Sequence, residues 1–174
     1  MSTDALADAL RTIADFPKPG IQFKDITPIL GDPGLLREAA RRLADPYRDA
    51  GVTRVAGMEA RGFLLGALVA ADLGAGFLPV RKPGKLPAPT FSEAYALEYG
   101  TDTLELHQDA CGPDDVVLIH DDVIATGGTA AAAHRLVERT GARIAGFSFL
   151  IELSFLDGCR TLPEGVRVER VLRL

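Results

Sequence analysis

The chain has no tryptophan, two cysteines and three histidines among 174 residues. Cys111 and Cys159 form no C-x-x-C pair and have no histidine at ligand spacing, so a zinc site is disfavoured and a disulfide is unsupported. Also missing is any apolar run of the roughly 18 to 20 residues that a membrane helix requires. The N-terminal stretch carries Asp4, Asp8 and Asp15, which argues against a signal or transit peptide and makes a cytoplasmic location the expectation. No G-x-x-x-x-G-K-[ST] loop occurs, and Gly74-Ala75-Gly76 lacks the third glycine of a dinucleotide fingerprint. Excess positive charge is absent too. A formal net charge of -5 disfavours nucleic acid or an anionic membrane as partner, because those surfaces demand a basic face. With Phe, Tyr and Trp at 6% of the chain, aliphatic packing must build the interior.

What is present fits one domain spanning residues 1–174. Helical spacing of Leu6, Leu10 and Ile13 predicts a helix over Thr3 to Ala14, ended by the turn Asp15 to Gly20. Ile21 to Ile26 alternates like a brief strand or extended loop, and its Phe23 is either core or a base-stacking ring. Asp32-Pro33 starts a second helix with Leu36, Ala39, Ala40, Leu43 and Tyr47 on its apolar face. Thr53 to Gly57 reads as a buried strand, Phe63 to Leu73 as a packed helix, and Gly76 to Val80 as another strand.

Between Asp72 and Glu93 no acidic residue occurs, while Arg81, Lys82 and Lys85 do. This Pro/Gly-rich window is either a solvated loop or a lid over an anionic substrate. Thr90 to Tyr99 and Thr103 to His107 read as two extended segments around a turn at Gly100 to Asp102. A strand at Asp115 to His120, a helix at Ala130 to Arg139, a strand at Arg143 to Leu153, one helical turn within Phe155 to Thr161 and a final edge strand complete the pattern. Strands alternating with helices predict an α/β fold, a mainly parallel central sheet flanked by helices.

The stretch Val116 to Thr129 concentrates the chemistry. Asp121 and Asp122 follow a predicted strand, where open α/β sheets collect ligands, and adjacent carboxylates there suit the hydroxyls of a sugar. The plainer alternative is that one of them caps the loop. Ala125-Thr126-Gly127-Gly128-Thr129 can wrap a phosphate: the glycines permit close approach, the threonines add hydroxyls, and the following helix presents free N–H groups.

These residues resemble the phosphoribosyl-pyrophosphate (PRPP) signature of type I phosphoribosyltransferases. Asp15 to Pro28, Glu59-Ala60-Arg61-Gly62-Phe63, Val80 to Pro87 and Leu97-Glu98-Tyr99-Gly100 narrow the resemblance to the adenine phosphoribosyltransferase family, in the family's order and from about Ile13 to about Leu162. The resemblance implies the type I phosphoribosyltransferase fold, with a small hood from about residues 1–30 and 152–162 and a flexible lid hairpin over about 82–107. It implies transfer of the phosphoribosyl group of PRPP to N9 of adenine, with Mg2+ on the diphosphate and no direct protein ligand to the metal. Ala125 to Thr129 would then hold the 5'-phosphate, Asp121 and Asp122 would face the ribose, and Ala60, Arg61, Arg81, Lys82 and Lys85 would meet the diphosphate. Gln22, Phe23, Lys24 and Leu153 would enclose adenine, and Glu98 would assist proton movement at the purine, its plain alternative being a solvated hairpin glutamate. A homodimer is implied, with the Phe63 to Leu73 helix and the Arg81 region as contributors.

Three residues depart from the family pattern: His120 where an aliphatic residue is preferred, Lys24 where arginine is frequent, and Cys159 where arginine is expected. His120 is either a charged partner of the acids or a satisfied structural histidine. Rival readings are a phosphoribosyltransferase for another base and a non-catalytic PRPP or nucleotide sensor.

Overall fold

A computed structural model describes residues 4–96 and 100–174. Asp4 caps a short helix α1 (Ala5–Ala9), its carboxylate accepting the Leu6 N–H at 3.1 Å. The predicted helix stops there. Leu10 is extended, and Arg11–Ala14 forms strand β1, which pairs antiparallel with β2 (Gln22–Asp25). Pairing outweighs the helical spacing because Arg11 reaches Asp25 across the two strands and Lys24 Nζ donates to Thr12 Oγ1 at 2.9 Å. Thr27 first, through its hydroxyl and N–H, and then Arg11 hold the Asp25 carboxyl down to about 2.

A helix α2 (Thr27–Gly31), absent from the sequence reading, follows with Pro28 in its first turn. Helix α3 (Pro33–Ala44) starts as expected, with Asp32 accepting the Gly34 and Leu35 N–H groups at 2.8 and 2.9 Å. Next come β3 (Arg54–Met58), α4 (Gly62–Leu73), β4 (Gly76–Val80) and a hairpin of β5 (Thr90–Ala96) and β6 (Thr101–His107). The chain then forms β7 (Val116–Ile124), α5 (Gly128–Thr140), β8 (Arg143–Glu152), two short 3-10 turns and the edge strand β9 (Val168–Arg173).

The central sheet has the order β4-β3-β7-β8-β9 and all its pairings are parallel. Helices α3 and α4 cover one face with α1 and α2, while α5 and the hairpin cover the other. The described part of the β5–β6 hairpin packs on the core and on α5. Its Tyr95, Leu104 and Leu106 are buried, Arg135 of α5 holds Glu93 at 2.5 Å, and Arg139 donates to the Ser92 carbonyl at 2.8 Å.

Strand β7 exceeds its predicted end at His120 and carries both acids within it. The reason is its neighbour: β8 runs to Glu152, and pairing continues as far as Ile124 opposite Glu152, so backbone hydrogen bonds override the poor strand preference of aspartate. His120 lies wholly buried in the same strand. Its Nδ1 sits 2.9 Å from the Ser148 carbonyl oxygen, which can only accept, so Nδ1 carries the proton. Nε2 has no partner. The charged-partner reading is therefore not realised, and the structural reading holds with one ring nitrogen satisfied.

Burial lowers the His120 pKa from 6.5 to about 4. Between those values the folded chain binds fewer protons than the unfolded chain, so His120's contribution is complete above about pH 6.5 and is lost as pH falls toward about 4. We expect the urea midpoint to drop over that window by the equivalent of at most about 3 kcal/mol. In His120→Leu the drop should be visibly shallower, and an identical pH profile would dismiss the assignment.

Candidate active site

The topology creates one crevice. From β3 the chain moves outward to β4, and from β7 it moves the other way to β8 and β9, so β3 and β7 are neighbours at the point where strand order reverses. Loops leaving their carboxyl ends must part there, and that opening is where open α/β sheets bind ligands. A cleft of about 540 Å³ occupies it.

The β7 side supplies the acids. Asp121 is partly exposed to the cleft, and its Oδ1 accepts the Asp122 N–H at 2.9 Å. Space for this side chain depends on Gly62 at the start of α4, where an added Cβ would lie 2.7 Å from Asp121 Oδ1. Burial, then the neighbouring Asp122 charge, pushes the Asp121 carboxyl well above the ordinary carboxylate range. Burial also raises Asp122, opposed first by Arg61, whose Nε lies 2.9 Å from Asp122 Oδ2 across the crevice. That ion pair lacks the alignment of a hydrogen bond, and Asp122 Oδ2 has no hydrogen-bond partner among the described residues.

Beyond the acids, Ala125 and Thr129 face the cleft while Thr126 and Gly127 join them around a recess of about 80 Å³ at the start of α5. Gly127 has a left-handed backbone (φ 82°) as the residue capping α5. An added Cβ would meet Thr161 Oγ1 at 2.0 Å and the Gly158 carbonyl oxygen at 2.2 Å, and one on Gly158 would meet the Ala125 carbonyl oxygen at 2.1 Å. The Gly158–Thr161 turn thus braces the loop by backbone contact. Gly128 lies beside the hairpin, its Cβ direction pointing at the Ala96 carbonyl oxygen 3.1 Å away, and lines neither the cleft nor the recess.

At the other end Gln22, Phe23, Lys24 and Leu153 line the cleft together with Ile21, giving it an aromatic and aliphatic wall. The Phe23 ring meets Phe16 edge-on at 5.1 Å and carries the Arg61 guanidinium 5.0 Å over its face. Ala60, Arg61 and Lys82 also line the cleft. The Lys82 ammonium is bound by Asp102 and lies 3.1 Å from the Tyr95 hydroxyl. Arg81 and Lys85, grouped with Lys82 in the sequence, do not line the cleft. They turn onto Glu59, with Lys85 Nζ at 2.5 Å and Arg81 Nε at 3.4 Å. Lys85 first, then the Lys82 N–H and Arg81, hold the Glu59 carboxyl down to about 2.

Glu98 lies outside the described residues. The sequence reading missed Glu59 and Gly62, although both stand in the quoted Glu59-Ala60-Arg61-Gly62 stretch, and it missed Tyr95 and Leu104, which it placed only in two extended segments. Among the described residues, no group of three or more His, Cys, Asp or Glu side chains could hold a metal ion, and no helix is long and apolar enough to cross a membrane.

No protein-family model matches the chain. Individual proteins do. The chain is 51% identical over 174 residues to the adenine phosphoribosyltransferase of Phocaeicola vulgatus, covering 100% of both. It is 57% identical over 159 residues to that of Anaeromyxobacter dehalogenans, covering 91% of this chain and 92% of the relative. The crystal structure of adenine phosphoribosyltransferase from Rhodothermus marinus superimposes with a TM-score of 0.93 at 59% identity, covering 97% of this chain and 96% of that one.

The contacts of Gly127 make it the most sensitive position of the loop. Gly127→Ala adds a methyl group into backbone and a left-handed strain of about 1 to 3 kcal/mol. Calorimetric titration with ribose 5-phosphate should show affinity reduced by about tenfold or more, with a lower Tm. Retained affinity would separate this loop from phosphate binding.

Proposed function

Because the chain belongs to the adenine phosphoribosyltransferase family, we propose that it transfers the 5-phosphoribosyl group from PRPP to N9 of adenine, giving AMP and pyrophosphate in purine salvage. The observation that carries this reading is a single cleft that joins an aromatic and aliphatic end, two adjacent carboxylates and a phosphate-sized recess at a helix N-terminus, with Arg61 on the opposite wall.

In this reaction the N9–C1 bond forms as the bond from C1 to the diphosphate oxygen breaks. The bonding electrons leave with pyrophosphate, and adenine gives up its N9 proton. Little covalent help is required; positioning and charge stabilisation suffice. Asp121 and Asp122 face the ribose and stabilise positive charge on its ring. Burial raises both carboxyls, so it is their ionised form that supplies this attraction, and Arg61 beside Asp122 favours that form. Ala125 to Thr129 receive the 5'-phosphate, with Gly128 contributing through the backbone at the start of α5. Gln22, Phe23, Lys24 and Leu153 enclose the base. Ala60, Arg61 and Lys82 receive the diphosphate, with Arg81 and Lys85 behind them on Glu59. Glu98 is assigned to proton movement at the purine through its match to the Leu97-Glu98-Tyr99-Gly100 motif alone.

Mg2+ is assigned to the diphosphate and water, with no direct protein ligand, as a small, strongly hydrated cation that keeps several waters and binds substrate phosphates. Bound there, the ion supplies charge neutralisation for the leaving group. Asp121 and Asp122 are carboxylates lining the cleft that can accept from its waters, while the third, Glu59, is taken up by Lys82, Lys85 and Arg81. We further propose a cytoplasmic homodimer. Its support is the α4 surface, where Leu64 and Leu68 are 50% and 38% exposed, an apolar stripe that a second copy would cover. Sedimentation of Leu64→Lys, Leu68→Lys should show a monomer where the wild type sediments as a dimer; a monomeric wild type would end the proposal.

The assay that tests the function is pyrophosphate release from PRPP and Mg2+ with adenine, hypoxanthine or guanine supplied separately. Adenine should support turnover well above the other bases. Release with another base only would reassign the substrate, and no release from folded protein that binds PRPP would indicate a sensor.

A further inference from the structure

Glu59 receives no role from the reaction, yet it is the most heavily used carboxylate at the cleft. Strands β3 and β4 are adjacent and parallel, and their pairing extends one step past the sheet, where the Glu59 N–H donates to the Val80 carbonyl at 3.0 Å. There the side chain takes over from the backbone. Glu59 Oε2 accepts the Lys82 N–H at 2.9 Å and lies 3.4 Å from Arg81 Nε, while Oε1 accepts from Lys85 Nζ at 2.5 Å. The carboxylate is only 11% exposed, so these contacts are sheltered from solvent. Arg81 is further fixed by a two-way backbone bridge to Glu105. The outcome is a division of the basic segment: Arg81 and Lys85 turn onto Glu59, while Lys82 lines the cleft with its ammonium on Asp102 and Tyr95.

We propose that Glu59 is a positioning residue that clamps the Arg81–Lys85 segment at the cleft mouth and so delivers Lys82 to the diphosphate of PRPP. The inference rests on the PRPP-dependent function proposed above. A competing role predicts the opposite direction. Were Glu59 an internal substitute for the diphosphate, removing it would free cations and tighten PRPP binding; as a clamp, its removal weakens binding because the segment loses its anchor.

Equilibrium binding of PRPP with Mg2+, read by calorimetry on full-length wild type, Glu59→Gln and Glu59→Ala, decides between them. Loss of a hydrogen-bonded charge partner predicts about tenfold weaker PRPP binding in Glu59→Ala. Glu59→Gln keeps an acceptor for the Lys82 N–H and should lose less. Adenine KM should stay within about twofold, since Glu59 holds Arg81, Lys82 and Lys85, the residues assigned to the diphosphate, whereas a general structural defect would move both substrates. Unchanged or tighter PRPP binding in Glu59→Ala with a wild-type circular dichroism spectrum overturns the inference. If Glu59→Ala does not fold, the same reading of Glu59→Gln decides it. Weakened PRPP binding in a protein whose wild type releases no pyrophosphate with adenine would sink the assignment of the base and leave the clamp standing. A wild type that binds no PRPP would remove both.

Discussion

The site depends on a contact between two stretches of backbone that leaves no room for a side chain. Gly127 and Gly158 face each other so closely that a methyl group on either would overlap a carbonyl oxygen near 2 Å. This approach ties the loop after β7 to the turn after β8, and it sets the angle at which α5 begins. The recess at that helix start, the position of Thr129 and the seating of Gly128 against Ala96 all follow from it. Sheet pairing from Val116 to Ile124 holds the other end of the same loop and places Asp121 and Asp122 on its approach. The loop is therefore fixed from both sides before any ligand arrives, which lowers the ordering cost of binding.

An acidic protein that meets a polyanion has to keep its few cations in place without neutralising them beyond use. Here Arg61 and Lys82 at the cleft have internal carboxylates, Asp122 and Asp102, Arg81 and Lys85 behind them share Glu59, and Lys24 donates instead to Thr12. Such partly exposed pairs are worth little as stability. Their value is geometric, since they hold long side chains at the rim where an incoming anion can exchange with the carboxylate. Arg61 is 39% exposed and Lys82 35% exposed, so both remain reachable by a ligand.

Much of this was legible beforehand. Asp32-Pro33 announced the start of α3, and the apolar run at Val116 followed by acids and small residues announced a strand entering a binding turn. Where reading failed, long-range partners were responsible. Residues 11–14 continued a helical period, yet the Gln22–Asp25 strand paired with them. The acids looked like loop residues, yet β8 carried them into the sheet. Arg81, Lys82 and Lys85 read as one basic patch, and only the packing of Glu59 against the segment divided them.

By itself, then, the sequence determined the alternation of strands and helices, the small-residue turn before α5, the paired acids and the family. These are local patterns: hydrophobic period, capping residues and small-residue spacing lie within a few positions of one another. The tertiary structure alone decided which cations face the cleft, which glycines are indispensable and that His120 is a buried, neutral core residue. Those properties belong to contacts between segments far apart in the chain, Gly127 with Gly158, Glu59 with Lys85 and His120 with Ser148. No residue carries them until the sheet brings its partner within reach.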